Sequence, residues 1–252
     1  MIDAHNHLQD PRFAGRQSEL VAEMQSAGIT ACIVNGTSED DWPEVAALAE
    51  KFPGFVVPSF GLHPWKVDSR STDWLDTLRR FLNEFPTAAL GECGLDRWME
   101  SPDLEAQHEV FRAQLALAVE LERPLTIHCL KAWGPLLEEL KSAPALPCFL
   151  LHSFGGSLEV ATELQKLGSY FSFSGYFLQP RKEKTRQVFS NIPHDRILVE
   201  TDAPEMPLPD PEYHFEKLNH PANLALVGRE LASLLSAKEE IFLQNTKRFF
   251  KI

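Results

Sequence analysis

"PDLEAQHEVFRAQLALAVELERPLTIHCLKA" (residues 102–132) contains one unit of the pattern that decides the fold. Leu104, Phe111, Leu115, Ala118 and Val119 recur at three- and four-residue steps, which places one apolar stripe along a helix. Pro102 suits the first turn of that helix and Pro124 ends it. A short apolar run then predicts a strand over 124–128, closed by His128. The same alternation runs through the chain. Strands are expected near residues 2–6, 29–35, 55–61, 87–92, 124–128, 147–152, 169–174 and 196–201. Helices are expected near 16–27, 41–51, 73–85, 103–122, 132–141, 157–167, 181–190, 221–234 and 238–249. Eight strand–helix alternations without a break in composition predict an α/β fold, a single-domain (β/α)8 TIM barrel over residues 1–252. An open doubly wound sheet is the alternative. A barrel gathers functional side chains at the C-terminal ends of its strands.

The chain has 252 residues, 44% of them hydrophobic and 24% charged, which suits a globular enzyme with a sizeable core. No apolar run reaches the length of a membrane span, and the opening residues lack the basic start and apolar stretch of a signal peptide. Cys32, Cys93, Cys129 and Cys148 show no CxxC spacing, so reduced thiols and a cytoplasmic location are expected. The net charge of −12 and the absence of a strong Lys/Arg block argue against tracking along duplex DNA, unless positive charge is supplied locally. The proline-rich stretch 203–221 after the last expected strand reads as a lid or substrate wall.

The polar residues closing the strands form a set. "MIDAHNHLQD" (residues 1–10) puts Asp3, His5 and His7 at alternate positions, so in a regular strand all three face one way. His63 follows the third strand, Glu92 ends the fourth with Asp96 just beyond, His128 ends the fifth, His152 the sixth, and Glu200 and Asp202 the eighth. Four imidazoles and two carboxylates on one rim suit two divalent metal ions sharing a bridging group. Glu92 is the expected bridge, with His5, His7 and Asp202 on one ion and His128 and His152 on the other. An imidazole-rich set favours Zn, Mn, Ni or Fe, with Mg still able to support turnover. Cys93 and Cys129 each follow one of these residues by one position, so alternation turns them toward the helices. His108 and His194 carry no expected role, and His214 and His220 are expected to be solvated.

The stretches "DAHNHL", "GLHPW", "GECGLD", "IHCLKA", "LHSFGGS", "FSFSG" and "ETDAP", in this order, resemble the TatD family of metal-dependent hydrolases, within the amidohydrolase-like barrels. The resemblance implies a TIM barrel, a binuclear metal site at His5, His7, Glu92, His128, His152 and Asp202, and deoxyribonuclease activity. It also implies that His63 contacts a substrate phosphate. This chain has Leu130 and Lys131 where the family often has Arg two residues after the fifth-strand His. It has Leu218 before Asn219 where Arg is frequent, and Arg97–Trp98 in place of a common aromatic pair.

The expected activity is hydrolysis of DNA phosphodiesters, on single strands or ends, by a metal-activated water. Asp202 is the general base, Glu92 the bridge and His63 the phosphate contact. Trp65, Trp98 and Trp133 are candidates for stacking a base or for packing under loops. Two alternatives remain open: hydrolysis of a small ester, lactone or amide, and a non-catalytic metal-stabilised barrel that binds nucleic acid or protein. A monomer is plausible.

Overall fold

The computed structural model describes residues 1–252. Eight strands form one parallel sheet in chain order: β1 (Ile2–Asn6), β2 (Ala31–Asn35), β3 (Val56–Phe60), β4 (Ala89–Asp96), β5 (Leu125–Leu130), β6 (Phe149–Leu151), β7 (Tyr170–Ser174) and β8 (Ile197–Glu200). The helices are α1 (Gln17–Ser26), α2 (Trp42–Lys51), α3 (Trp74–Glu84), α4 (Leu104–Glu120), α5 (Trp133–Ser142), α6 (Leu158–Lys166), α7 (Glu183–Phe189), α8 (Leu224–Leu235) and α9 (Glu239–Phe250). The molecule is a (β/α)8 TIM barrel, as the alternation predicts. No helix is long and apolar enough to cross a membrane.

The barrel closes at a seam between β1 and the residues just after β8. The Asp202 amide donates to the His5 carbonyl at 2.9 Å, and the His7 amide donates to the Ala203 carbonyl at 2.8 Å. Below them, Asp3 accepts from the Thr201 amide at 2.9 Å and from the Thr201 hydroxyl at 2.6 Å. These bonds place the first and last strand ends beside each other.

Side chains fill the lumen in layers, as alternation in a small barrel requires. The bottom layer is apolar and includes Ile2, Ala4, Ile33, Val57, Leu150, Tyr170 and Leu198, with Phe249 and Phe250 of α9 packed beneath. A larger cluster of 56 buried residues fills the space between sheet and helices. Cys32, Cys93 and Cys129 lie in that outer cluster, facing the helices as alternation predicts, whereas Cys148 is exposed.

Two irregularities alter the expected faces. The β1–β2 ladder shifts between Asp3 and Asn6. Asp3 therefore does not join His5 and His7 but bonds Thr201 and Asn6. β4 is longer than expected and shifts register against β5 between Leu90 and Cys93. Glu92 thus sits within the strand and Asp96 ends it. At Gly94 the two strands pass so closely that a Cβ would lie 1.9 Å from the His128 carbonyl oxygen, at a φ of +147°.

Candidate metal centre

At the C-terminal mouth of the barrel, His5, His7, His63, Glu92, His128, His152 and Asp202 converge. They sit on β1 and just after it, in the turn after β3, on β4 and β5, and in the segments following β6 and β8. All seven side chains are largely buried, and Glu92 is only 2% exposed.

Glu92 is the centre of the arrangement. Its Oε2 faces His5 Nε2 at 3.3 Å and His7 Nε2 at 3.4 Å. Asp202 Oδ1 lies 3.6 Å from both of those nitrogens. The other oxygen, Oε1, faces His152 Nε2 at 2.7 Å, His128 Nδ1 at 3.0 Å and His63 Nε2 at 3.3 Å. Each carboxylate oxygen thus addresses its own group of imidazoles.

Hydrogen bonds on the far side of the rings settle what several nitrogens present. His7 Nδ1 donates to the Asn35 carbonyl at 2.8 Å, so its Nε2 carries a lone pair. His128 Nε2 donates to Asp96 Oδ2 at 2.9 Å, so its Nδ1 carries one. In both rings the lone pair is aimed at a carboxylate oxygen. His5 Nε2 stands 3.3 Å from the first of these nitrogens and His152 Nε2 3.2 Å from the second, and a cation among these nitrogens and carboxylate oxygens would satisfy all of them at once. His63 is opposite in character. Its Nδ1 accepts from the Trp65 amide at 3.1 Å, so the proton is on Nε2 and points into the site. His63 lies within ligand reach of Glu92 and His128, yet in this tautomer it offers an N–H rather than a lone pair.

The titration shifts follow the same geometry. Burial disfavours charge on Glu92, but the imidazoles of His152, His63, His5 and His128 outweigh it and hold the carboxyl well below its ordinary range. Asp202 is lowered in the same way, against burial, by His7, His152 and His5. Burial also opposes charge on His7 and His152, yet Asp202 and Glu92 raise the first, and Glu92 and Glu200 the second, well above the usual imidazole value. His128 is raised by Asp96 and Glu92 over the opposing effect of burial. Burial dominates at His5, which is lowered, and at His63, which is pushed down to about 4. The donor set therefore fits divalent cations. His5, His7 and Asp202 could hold one ion and His128 and His152 another, with Glu92 between them, and no other part of the chain assembles such a set.

Two carboxylates support the mouth from outside. Asp96 takes His128 and the Trp65 indole N–H (2.7 Å) on Oδ2, and the Trp98 and Met99 amides on Oδ1 at 2.6 and 3.3 Å. It thus orients an imidazole and caps a turn at once. Glu200 accepts from the Ser153 amide and hydroxyl at 2.7 and 2.6 Å and from the Ser172 hydroxyl. Its Oε1 stands 3.6 Å from His152 Nδ1, beyond hydrogen-bond range, and that nitrogen has no partner.

The mouth opens into a cleft of ≈ 850 Å³. Its lining includes Asp10, Asp40, Asp41, Glu44 and Glu205, which follow β1, β2 and β8, and Trp65, Lys66 and Leu130, which follow β3 or end β5, on the adjoining arc of the barrel. The 203–221 stretch contributes Glu205 and Met206 as a wall. It is pinned by Asn219 to the Thr201 carbonyl (2.7 Å) and by His220 to Glu23 (2.8 Å). His220 is buried, 3% exposed, against the expectation of a solvated side chain. Tyr213 stacks on its ring at 5.4 Å and its Nδ1 accepts from the Ala222 amide. Trp133 opens α5 and packs edge-on against buried Phe154, away from the cleft lining. Of the two groups that fix the tautomers, the Asn35 carbonyl is main chain and leaves no sequence signal, and Asp96 gave only a weak one, a carboxylate just beyond the expected fourth strand.

Known proteins resemble this chain along most or all of its length. The family model described as "TatD related DNase" matches residues 2–251. The Escherichia coli K12 protein named uncharacterized metal-dependent hydrolase YjjV is 33% identical over 82% of this chain and 80% of its own. Its crystal structure, that of a TatD homolog, superposes with a TM-score of 0.92 at 31% identity and covers 100% of this chain and 98% of that one. A Pantoea vagans protein named 3'-5' ssDNA/RNA exonuclease TatD is 33% identical over 81% of this chain and 79% of its own. Bacillus subtilis YabD, named an uncharacterized metal-dependent hydrolase, is 30% identical across 100% of this chain and 99% of its own. With its fold, its mouth of imidazoles and carboxylates and these likenesses in agreement, the chain belongs to the TatD-related DNase family of metal-dependent hydrolases.

Proposed function

We propose that this protein is a nuclease that hydrolyses phosphodiester bonds of single-stranded nucleic acid, DNA foremost, with two divalent ions held by His5, His7, Glu92, His128, His152 and Asp202. The observation that carries the reading is the division of labour on Glu92, whose two oxygens face separate groups of imidazoles. Such ions supply Lewis acidity and a water acidic enough to attack at neutral pH. Glu92 would supply the negative charge that holds the two cations. Asp202, ionised at neutral pH and only 7% exposed, is placed to take the proton from the attacking water. His63, neutral at pH 7, offers its Nε2–H to a non-bridging phosphate oxygen. Several relatives bear the name 3'-5' ssDNA/RNA exonuclease, which supports the substrate class. Three buried free thiols support a reducing, cytoplasmic setting.

The test is incubation of purified protein with a 5'-labelled single-stranded oligonucleotide and Mn or Mg, alongside elemental analysis of bound metal. Stepwise shortening of the oligonucleotide supports the reading, and metal-loaded protein that leaves every oligonucleotide intact defeats it. The acidic wall of Asp10, Asp40, Asp41, Glu44 and Glu205 favours a second reading, hydrolysis of a small uncharged ester, lactone or amide, which repels no carboxylate. A panel of such compounds assayed with the same preparation separates the two.

A further inference from the structure

Six large hydrophobic side chains stand exposed on this protein, and three of them follow or end β3, β4 and β5: Trp65 and Leu130, which line the cleft, and Trp98, which lies just outside its lining on the turn after β4. Trp98 and Trp65 are the two most exposed of the six, at 60% and 52%. Large aromatic surface left open beside a buried polar site calls for an occupant. One carboxylate ties the two together: Asp96 accepts from the Trp65 indole at 2.7 Å, which holds that ring, and from the Trp98 backbone amide at 2.6 Å, which holds the turn that carries the second. The Trp65 ring lies 5.0 Å from the His63 ring and 6.4 Å from His128, so the aromatic surface continues directly from the candidate metal centre. The Arg97 amide bonds the Leu130 carbonyl at 2.9 Å, which ties the Trp98 turn to the end of β5.

Charge divides the mouth along the same line. Lys66 and Lys131 flank the two tryptophans and neither pairs with a carboxylate, and the Lys131 ammonium sits 6.0 Å from the Trp98 ring centroid. The adjoining arc is acidic, and its one cation, Arg12, is held by Asp10 at 2.8 Å and Glu205 at 2.7 Å. A strand with a charged backbone and flat bases is accepted on the first side and repelled from the second.

We propose that Trp65 and Trp98, with Lys66 and Lys131 beside them, form a stacking platform that takes an unpaired nucleobase of the substrate strand next to the scissile phosphate. This rests on the nuclease reading above and adds to it the residues that select single strands. A base inside a duplex has both faces covered by its neighbours and cannot use the platform, so selection comes from stacking rather than from reading base edges.

The experiment uses Trp98→Ala and Trp98→Tyr, because Trp98 touches none of the candidate metal-holding side chains and its exposure lets the variants fold. Steady-state cleavage is measured on an oligonucleotide and on copies carrying a single abasic residue at each of the three terminal positions. The expected result has three parts: an abasic residue at one position raises KM of the wild type about tenfold; Trp98→Ala raises KM for the intact strand by a similar factor and removes the penalty of the abasic residue; and Trp98→Tyr restores most of both. The loss falls on KM rather than kcat, which a general disturbance of the mouth would not reproduce. Cleavage by the wild type with KM unmoved in Trp98→Ala, or with the abasic penalty intact, overturns the platform and leaves the nuclease reading standing. Failure of the wild type to cleave any strand overturns both.

Discussion

Replacing Asp96 by Asn keeps the shape of a side chain that four donors approach, and removes its ability to satisfy them. The carboxylate is fully buried and accepts from His128 Nε2, Trp65 Nε1 and the Trp98 and Met99 amides. Burial opposes its charge, but the His128 and Trp98 bonds prevail and hold the carboxyl down at about 2. An amide has one accepting oxygen. Turned one way, its NH2 meets His128 and Trp65; turned the other, it meets the two backbone N–H groups. Two donors lose their acceptor in either case. A buried unpaired N–H costs ~1–3 kcal/mol. Because Trp65 is half exposed and the Met99 bond is long, at 3.3 Å, water recovers part of that, and the net loss is about 2 kcal/mol. For a chain of this size that lowers Tm by roughly 4–8 °C. The effect on the site is separate from the effect on stability. Without Asp96 the His128 tautomer is no longer fixed, and one of the two cation-binding steps weakens by about 10–100-fold. Equilibrium dialysis with Mn or Zn, fitted to two steps, reads this directly, and differential scanning calorimetry reads the stability. If a folded Asp96→Asn protein binds both cations within threefold of the wild type, the assignment of Asp96 as the residue that orients His128 is wrong.

Further outcomes follow from other contacts. Glu92→Gln leaves one oxygen to serve two imidazole groups and removes their shared charge, so bound metal should fall from two equivalents to one or none and turnover by about 10³-fold, ~4 kcal/mol; two tightly held equivalents by elemental analysis would refute the bridge. Gly94→Ala drives a methyl to 1.9 Å from the His128 carbonyl and should cost more than ~4 kcal/mol, giving insoluble protein; a soluble variant with wild-type circular dichroism melting contradicts the close approach of β4 and β5. Burial lowers the His220 pKa, against the pull of Glu23, so its contribution to stability is complete above pH 6.5 and is lost as pH falls through the folded value. The Tm advantage of the wild type over His220→Gln should shrink between pH 7.5 and 5, and a gap that is constant or widens removes the titration argument.

The fold could be read from the sequence because a (β/α)8 barrel repeats one local pattern, apolar stripes such as Leu104–Val119 followed by short apolar runs such as Leu125–Ile127. The site residues could be listed because barrels present strand ends to one mouth. Strand alternation failed where ladders are irregular. Asp3 was expected beside His5 and His7, but the shift before Asn6 turns it to Thr201. Glu92 was expected to end β4, which continues to Asp96. His220 was expected in water, and a partner 197 positions away, Glu23, holds it in the interior. Which nitrogen of His7 and of His128 faces the site depends on the Asn35 carbonyl and on Asp96, both from other strands, and spacing along one strand carries no trace of that.

The seam that closes the barrel also has a bearing on how the molecule is made. His5 is synthesised long before Asp202, yet they lie side by side through the Asp202 amide and the His5 carbonyl. A nascent chain that has not yet delivered its eighth strand owns the imidazoles of the site and Glu92 but lacks Asp202 and the closed barrel that would retain a metal. Chains interrupted before residue 200 should therefore emerge metal-poor and inert, so an unfinished copy poses no hazard to the cell's own nucleic acids.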